Sequence, residues 1–232
     1  MNRIAVVIPC YKHDQMTYDT VKSLVDCTES ELTLVLVDDN AEGYDFTYTV
    51  NKISELLGSR LLYVKNAKNM GVNASWNNGI RTAMATEIPY ICVANNDLIF
   101  TKGWDTPLIN ALNNGMALVS PYSTEQTLPR DFPNGGSRHT NPVGIEILGA
   151  CFAFKRELIH TIGFVPEQMT HYFGDNWFAD QCKMRGLKIG HVYESYIHHL
   201  FCITSSKLDN SKWFNEDGKA YNDYCRDFKL PE

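Results

Sequence analysis

Short apolar runs recur through the first hundred residues of the chain. They are rich in Val, Ile and Leu and alternate little with polar residues: Ile4–Ile8, Leu32–Val37, Leu61–Val64 and Tyr90–Ala94. Strands of a parallel sheet have this pattern, because helices cover both faces of such a sheet and both sets of side chains are buried. We therefore predict four buried strands in this part of the chain.

Two amphipathic segments lie between these runs. Met16–Val25 separates the first two runs and Asn73–Thr86 separates the last two, and both repeat apolar residues at helical spacing. The order strand, helix, strand favours parallel pairing through right-handed crossovers. The pattern predicts an α/β fold.

The second half of the chain is less regular. Met116–Ser120 predicts a further strand, and Ile147–Phe154 is again apolar. Between them, Pro121–Gly144 holds four of the nine prolines and predicts a long loop, of a length typical of lids and binding loops. Asp175–Arg185 predicts a helix with Asp175 at its N-cap.

The C-terminal residues carry an aromatic stripe at helical spacing. We predict one domain over residues 1–203 and a helical tail over 204–232 that packs back on it. The stripe consists of Trp213, Phe214, Tyr221, Tyr224, Cys225 and Phe228.

The composition of the chain limits the classes of partner and the cellular location that we expect. The formal net charge of -6 and the pI near 5.6 argue against a nucleic acid partner, because polyanion binders usually carry a basic excess. The apolar runs are far shorter than the roughly 20 residues of a transmembrane helix. The first residues show no signal-peptide pattern. Seven scattered cysteines without a C-x-x-C pair favour reduced thiols and a cytoplasmic location.

Polar residues follow each predicted strand, and ligands of α/β sheets bind at that edge. No glycine-rich phosphate-binding loop is present among them. We therefore expect that a metal ion, itself held by carboxylates, binds the phosphates of a nucleotide. The residues are Pro9, Cys10 and Tyr11, then Asp38, Asp39 and Asn40, then Asn66 and Asn69, and finally Asn95, Asn96 and Asp97.

Six segments also occur in the order and spacing of one known family. They are IAVVIPCYKHD, LVLVDDNA, NMGVNASWNNGI, ICVANNDLIF, LGACFAFKRELIHTIGF and YFGDNWFADQCKMRGLKIGHV. With them, residues 3–200 resemble the family 2 glycosyltransferases of the GT-A fold. The resemblance implies a Rossmann-like, mostly parallel central sheet flanked by helices, with a C-terminal helical extension. It also implies an inverting transfer of a sugar from a nucleotide diphosphate donor to an acceptor hydroxyl.

By the same resemblance, Pro9, Tyr11 and Asp39 form the pocket for the nucleotide base. Tyr11 would stack on the ring, and Asp39 would accept a hydrogen bond from the uracil N3–H group, which favours UDP-sugars. Asp38 is the alternative residue for this contact. Asn69 opens the family's N-x-G pattern and belongs to the donor site.

The metal site is implied in the same way. Asp97 stands where the family has its D-x-D motif, as a ligand of Mn²⁺ or Mg²⁺, while Asn95 and Asn96 occupy positions that are often aspartates. These two asparagines are candidate donor-binding residues, with Asn96 at the ribose. His198 is the candidate second ligand, and an imidazole suits Mn²⁺ better than Mg²⁺. His199 is the alternative, since neighbouring residues of a strand point to opposite faces.

The resemblance also implies that Asp175 is the catalytic base, because the family places its base at the start of the helix that matches GDNWFADQCKMRG. An inverting transfer needs a carboxylate that takes the proton of the acceptor hydroxyl. The family usually has an acidic pair at this place, whereas Gly174 precedes Asp175 here. A plain helix N-cap is the competing interpretation. Trp177 either lines the sugar site or packs in the core.

Two other functions remain open from the sequence. A sugar-nucleotide nucleotidyltransferase would share the layout but needs a basic, glycine-rich loop where this chain has Pro9–Lys12. An inactive relative that only binds sugars or partners is the non-enzymatic alternative. The acceptor class, whether glycan, lipid-linked or protein, is not determined by the sequence.

Overall fold

The computed structural model describes residues 1–40, 42–123, 147–200 and 211–226. The strands are β1 (Arg3–Cys10), β2 (Glu31–Asp38), β3 (Leu61–Lys65), β4 (Tyr90–Ala94), β5 (Leu98–Phe100), β6 (Leu118–Ser123), β7 (Cys151–Lys155) and β8 (Ile189–His199). The helices are α1 (Asp14–Cys27), α2 (Thr47–Leu57), α3 (Val72–Met84), α4 (Asp105–Asn113), α5 (Leu158–Ile162), α6 (Gly174–Met184) and α7 (Ser211–Arg226).

The strands form one sheet in the order β3-β2-β1-β4-β7-β6-β8-β5. The four predicted strands, β1 to β4, are all parallel to one another, and the predicted α/β fold is confirmed. Beyond β4 the sheet becomes mixed, because β7 pairs antiparallel with both β4 and β6 while β6 and β8 run parallel. The carboxyl ends of β1 to β4 therefore lie along one edge.

Helices cover both faces of the parallel half and create two apolar cores. Helix α3 lies close against the sheet at Gly79, where an added Cβ atom would stand 2.1 Å from a side-chain carbon of Val7. Only glycine permits this approach.

Helix α2, which has no counterpart among the sequence predictions, buries Thr49, Ile53 and Leu57. The sequence does contain a signal for this helix, because Val50, Ile53 and Leu57 follow the apolar spacing of an amphipathic helix.

The end of β6 differs from the sequence prediction. Strand β6 runs on to Ser123, so the first three residues of the predicted loop belong to the sheet. Hydrogen bonding to β8 extends the strand here, across a register shift at Pro121 and Tyr122. Residues 124–146, and with them most of the predicted loop, lie outside the described residues.

The C-terminal residues 211–226 form helix α7, and its aromatic residues pack against the segment before α6. The ring centroids of Phe214 and Tyr221 lie 5.1 and 5.2 Å from that of Phe173. The proposed domain boundary at residue 203 and the aromatic position 228 lie outside the described residues. Among the residues that the structure describes, no helix is long and apolar enough to cross a membrane.

Candidate functional site

The ends of β1, β2 and β3 are joined by backbone hydrogen bonds where their loops begin. The Asp39 N–H group donates to the Cys10 carbonyl at 2.9 Å, and the Asn66 N–H group donates to the Asp38 carbonyl at 2.9 Å. The polar residues predicted at this edge are therefore neighbours in space. They form the candidate donor rim, defined here as the residues that follow β1 to β4.

Asp39 is buried and organises the loop that follows β3. One carboxylate oxygen accepts from the Asn66 side chain and the Met70 N–H group, both at 2.8 Å, and the other accepts from the Gly71 N–H group at 3.0 Å. A carboxylate can accept about four hydrogen bonds, so Asp39 retains capacity for one more donor. Asn69 is exposed in the same loop and accepts from the Gly71 N–H group at 3.1 Å.

Asp38, the alternative for base recognition, is also buried and also partnered. The Tyr63 hydroxyl donates to it at 2.8 Å, the Asn40 N–H group donates at 2.8 Å, and the Lys65 ammonium lies 3.8 Å away. Burial, followed by the hydrogen bond to Asp38, raises the pKa of Tyr63 well above its usual value. Both carboxylates therefore have structural roles at the rim.

The loop after β1 makes a tight turn beside these residues. Pro9 is buried in β1, and Tyr11 is half-buried with the Lys12 ammonium 5.2 Å from its ring centroid. Lys12 and His13 both have left-handed backbone conformations, with φ of 60° and 59°. Two consecutive non-glycine residues in this region mark a constrained turn of the kind that collects at ligand sites.

The first helix holds the loop after β4. The Asn96 side chain donates to the Thr17 hydroxyl at 2.9 Å, and the Thr20 hydroxyl donates to the Asn96 carbonyl at 2.8 Å. On the other side, the Asn95 N–H group donates to the Ala150 carbonyl at 2.8 Å. Both asparagine side chains are half-buried at the rim.

Asp97 and His199 meet at the end of this loop. The His199 Nε2 atom lies 3.3 Å from one Asp97 carboxylate oxygen, and the other oxygen is buried without a hydrogen-bond partner among the described residues. The pairing of β5 with β8 sets Leu98 opposite His199, which brings the histidine to the carboxylate.

His198, the first choice as second ligand, is not brought to Asp97. It faces the opposite side of β8, where it is exposed and its ring centroid lies 5.0 Å from that of Tyr196. The alternation of side chains along a strand allows only one of the two histidines to face Asp97. His199, the alternative, is the histidine that the structure brings to Asp97.

Asp97 and His199 fit a divalent metal ion that also binds a donor. Within the described ranges, no group of three or more His, Cys, Asp or Glu residues is placed to hold a metal by itself. Ions such as Mg²⁺ are often held by one or two carboxylates together with substrate phosphates. A buried carboxylate oxygen without a partner is a costly arrangement that such an ion would relieve.

Asp175 lies in the first turn of α6 and faces the residues that lead into β7. An added Cβ atom on Gly149 would stand 2.2 Å from an Asp175 carboxylate oxygen, so the carboxylate lies directly against the Gly149 backbone. Burial raises the pKa of Asp175, although the N–H groups of Asn176 and of Asp175 itself act in the opposite direction. A carboxylate with a raised pKa is a stronger base than an ordinary one.

The predicted N-cap position of Asp175 is not what the structure shows. Helix α6 begins at Gly174, and Phe173 occupies the N-cap with a left-handed φ of 62°. The Gly174 backbone packs so closely that an added Cβ atom would stand 2.2 Å from the Asn73 side-chain oxygen. A second acidic residue does not fit there.

Trp177 is buried against Phe178, with ring centroids 5.5 Å apart, so core packing is its observed role.

Helix α3 positions the segment that precedes α6. The Asn73 side chain donates to the carbonyls of Met169 and Tyr172 at 3.2 and 3.0 Å. The buried Asn77 donates to the Val165 carbonyl at 2.8 Å and accepts from the Val165 N–H group at 3.1 Å. Two asparagines of the NMGVNASWNNGI segment thus connect α3 to the segment that leads to Asp175.

Sequence reasoning missed Asn73, Gly149 and Asp217, a buried residue of α7. Asn73 and Gly149 lie inside segments that had been recognised, but their contacts are long-range. Asp217 follows Glu216 in a polar stretch of the tail and carries no local signal of burial.

The sequence matches one family model. Residues 5–165 match the model described as glycosyl transferase family 2, which is more than half of the chain. A comparison with curated proteins found no match.

Solved glycosyltransferase structures share the fold. The crystal structure of GalNAc-T7 with UDP, GalNAc and Mn²⁺ superposes with a TM-score of 0.71 at 14% identity, over 88% of this chain and 44% of that one. The mannosyltransferase PcManGT from Pyrobaculum calidifontis, in complex with GDP-Man and Mn²⁺, superposes with a TM-score of 0.71 at 18% identity, over 98% of this chain and 65% of that one. S. aureus TarS superposes with a TM-score of 0.67 at 13% identity, over 97% of this chain and 44% of that one. This chain thus spans less than two thirds of the length of these three proteins.

Proposed function

The chain belongs to glycosyl transferase family 2, and from that premise we propose that it transfers a sugar, with inversion, from a nucleotide diphosphate donor to an acceptor hydroxyl. The donor binds at the rim formed by the loops after β1 to β4. The acceptor approaches from the side of Asp175. A glycan, a lipid-linked glycan or a protein could supply the hydroxyl.

A UDP-sugar is the proposed donor. In support, Asp39 is buried at the end of β2 with capacity for one more hydrogen bond, which the uracil N3–H group would supply. Tyr11 lies half-buried after β1, where a base can stack on its ring. Pro9, Asn69, Asn95 and Asn96 complete the proposed donor residues. GalNAc-T7 was crystallised with UDP, whereas PcManGT holds GDP-Man, so the neighbours do not decide between the nucleotides.

Asp97 and His199 are the proposed metal ligands, with Mn²⁺ preferred over Mg²⁺ because one ligand is an imidazole. Both neighbouring complexes were crystallised with Mn²⁺. A bound ion of this kind would neutralise the charge that grows on the departing diphosphate.

Asp175 is the proposed base. The acceptor oxygen attacks the anomeric carbon of the donor sugar, the bond from that carbon to the phosphate oxygen breaks, and the nucleoside diphosphate leaves with the electron pair. The acceptor proton passes to the Asp175 carboxylate. Attack from the face opposite the leaving group inverts the anomeric configuration.

One observation carries this proposal. The Asp175 carboxylate lies against Gly149, and the next residue, Ala150, accepts a hydrogen bond from the Asn95 N–H group of the donor rim. A candidate base is therefore attached, through two consecutive residues, to the loop that carries the candidate metal ligand Asp97. A plain helix cap would not need this placement.

We also propose a cytoplasmic location. The cysteines whose side chains are described are all free thiols, and the sulfur atoms of Cys92 and Cys151 lie 3.7 Å apart without a bond. Reduced thiols in such proximity suit a reducing compartment.

The test has two parts. Titration calorimetry with UDP, CDP and GDP, each with and without Mn²⁺, is expected to show Mn²⁺-dependent binding that favours UDP. A release assay then measures free UDP formed from UDP-sugars with water as the acceptor, for wild type and Asp175→Asn. We expect unchanged UDP binding and release reduced by about a hundredfold or more in the variant. Near wild-type release by a folded Asp175→Asn variant would refute the assignment of the base.

A further inference from the structure

Helix α7 inserts one buried carboxylate into the segment that precedes α6. Asp217 is 1% exposed and accepts from three consecutive N–H groups: Thr170 at 2.9 Å, His171 at 2.7 Å and Tyr172 at 2.9 Å. The Thr170 hydroxyl adds a contact at 3.1 Å. Burying a charge is unfavourable unless hydrogen bonds compensate for the lost water, and this site supplies them from the backbone of a single turn.

The same turn is held from its other side by the donor rim. The Thr170 carbonyl accepts from the Asn73 N–H group at 3.1 Å. An added Cβ atom on Gly71 would stand 2.5 Å from that carbonyl oxygen. Asp217 therefore holds the N–H groups of this turn while α3 holds its carbonyl groups, and the turn is fixed between the tail and the rim.

The turn leads directly into Asp175. Only Phe173 and Gly174 lie between them, and Phe173 has the left-handed conformation that redirects the chain into α6. This conformation is unfavourable for a residue with a side chain. It is supported here by the packing of the Phe173 ring on Phe214 and Tyr221 of α7. The tail thus contacts every residue from 170 to 173 that sets the start of the helix.

We propose that Asp217 is a positioning residue for the transfer reaction: by holding residues 170–172, it fixes the first turn of α6 and so the place of the Asp175 carboxylate. The inference rests on the proposed role of Asp175. It makes turnover depend on a tail that lies beyond the residues matched by the family model.

The decisive variant is Asp217→Asn, which keeps the size but turns one of the two accepting oxygens into a donor facing backbone N–H groups. Glu216→Gln is the matched control, because it removes a charge from the neighbouring, exposed position of the same helix. UDP binding with Mn²⁺ is measured by calorimetry and UDP release from UDP-sugars by the assay above. Amide hydrogen exchange is measured over residues 165–176.

We expect Asp217→Asn to bind UDP within about twofold of wild type and to release UDP about tenfold more slowly, since displacement of a reacting group by about 1 Å can lower a rate by up to a hundredfold. Amides 170–176 should exchange faster, and Glu216→Gln should resemble wild type in all three measurements. In the double variant with Asp175→Asn, release should be no slower than in Asp175→Asn alone, because both changes act through one carboxylate.

Each of the following outcomes would overturn the inference. Wild-type release by Asp217→Asn, while Asp175→Asn is defective, refutes the positioning role and leaves the proposed function intact. A further loss in the double variant shows a structural role that is independent of Asp175. Wild-type release by Asp175→Asn refutes both proposals. If Asp217→Asn does not fold, Thr170→Val is the second variant. It removes the hydroxyl contacts to Asp217 and to the His171 ring but keeps the three backbone hydrogen bonds, and it should give the same changes to a smaller extent. Wild-type exchange and release in that variant also refute the inference.

Discussion

Gly149→Ala tests the placement of Asp175 more directly than a change of the carboxylate itself. The new Cβ atom would stand 2.2 Å from a carboxylate oxygen and 2.8 Å from the carboxyl carbon of Asp175. Ordinary van der Waals contact begins near 3.4 Å, so the oxygen must move by about 1.2 Å. The backbone of Gly149 has no left-handed conformation, so the substitution adds no strain at that position.

The magnitude follows from this displacement. A shift of about 1 Å at a reacting group can lower a rate by up to a hundredfold, which corresponds to about 2.7 kcal/mol of transition-state stabilisation. The Asp175 side chain can rotate away at a cost of about 0.5–1.5 kcal/mol. For a chain of this size, a loss of stability of that magnitude lowers the melting temperature by a few degrees. UDP binding should be unchanged, because the donor rim is untouched.

The assay is UDP release from UDP-sugars at saturating donor, with calorimetry for UDP affinity and thermal unfolding for stability. Asp175→Ala supplies the control background, because it removes the oxygen that the new Cβ atom would strike. In that background Gly149→Ala should lower neither turnover nor melting temperature appreciably. A Gly149→Ala protein that releases UDP at the wild-type rate would show that the carboxylate at this place is not the base.

Three further predictions follow from the site. His199→Ala should weaken Mn²⁺-dependent UDP binding about tenfold or more, while the matched change His198→Ala on the opposite face of the strand should not; equal effects in calorimetry would contradict the choice of His199 as partner of Asp97. Burial raises the pKa of Asp175, and the base must be ionised to accept a proton, so release should fall as the pH drops through that raised pKa. The acid limb of the pH–rate profile should therefore lie above the ordinary aspartate value of 3.8, and an acid limb at or below that value would argue against this base. Asn77→Ala should lower the free energy of unfolding by about 2–4 kcal/mol in urea titrations, because it leaves the buried N–H and carbonyl groups of Val165 without partners; a loss under 1 kcal/mol would mean that water replaces the side chain.

Local sequence patterns were enough to predict the fold class and the edge of the sheet at which the site lies. Apolar runs such as Ile4–Ile8 and Tyr90–Ala94 are local signals of strands buried on both faces, and the observed β1 and β4 contain them. Polar residues directly after such strands must lie at one edge when the strands are parallel. Asp39 and Asp97 could therefore be assigned to the rim before any contact was known.

Which histidine faces Asp97 depends on the register between two distant strands. Side chains alternate along β8, so a shift of one residue in its pairing with β5 would exchange the roles of His198 and His199. Nothing in the local sequence fixes that register. The pairing of Leu98 with His199 depends on two strands that lie about a hundred residues apart in the chain.

The surroundings of Asp175 were equally beyond the sequence. Its contact with Gly149 and the hydrogen bonds of Asp217 to residues 170–172 join segments separated by tens of residues. Periodicity and spacing report only on neighbours within one element. The chemical type of a candidate base could be predicted from its motif, whereas the backbone groups that hold it in place are chosen by packing between α3, α6 and α7.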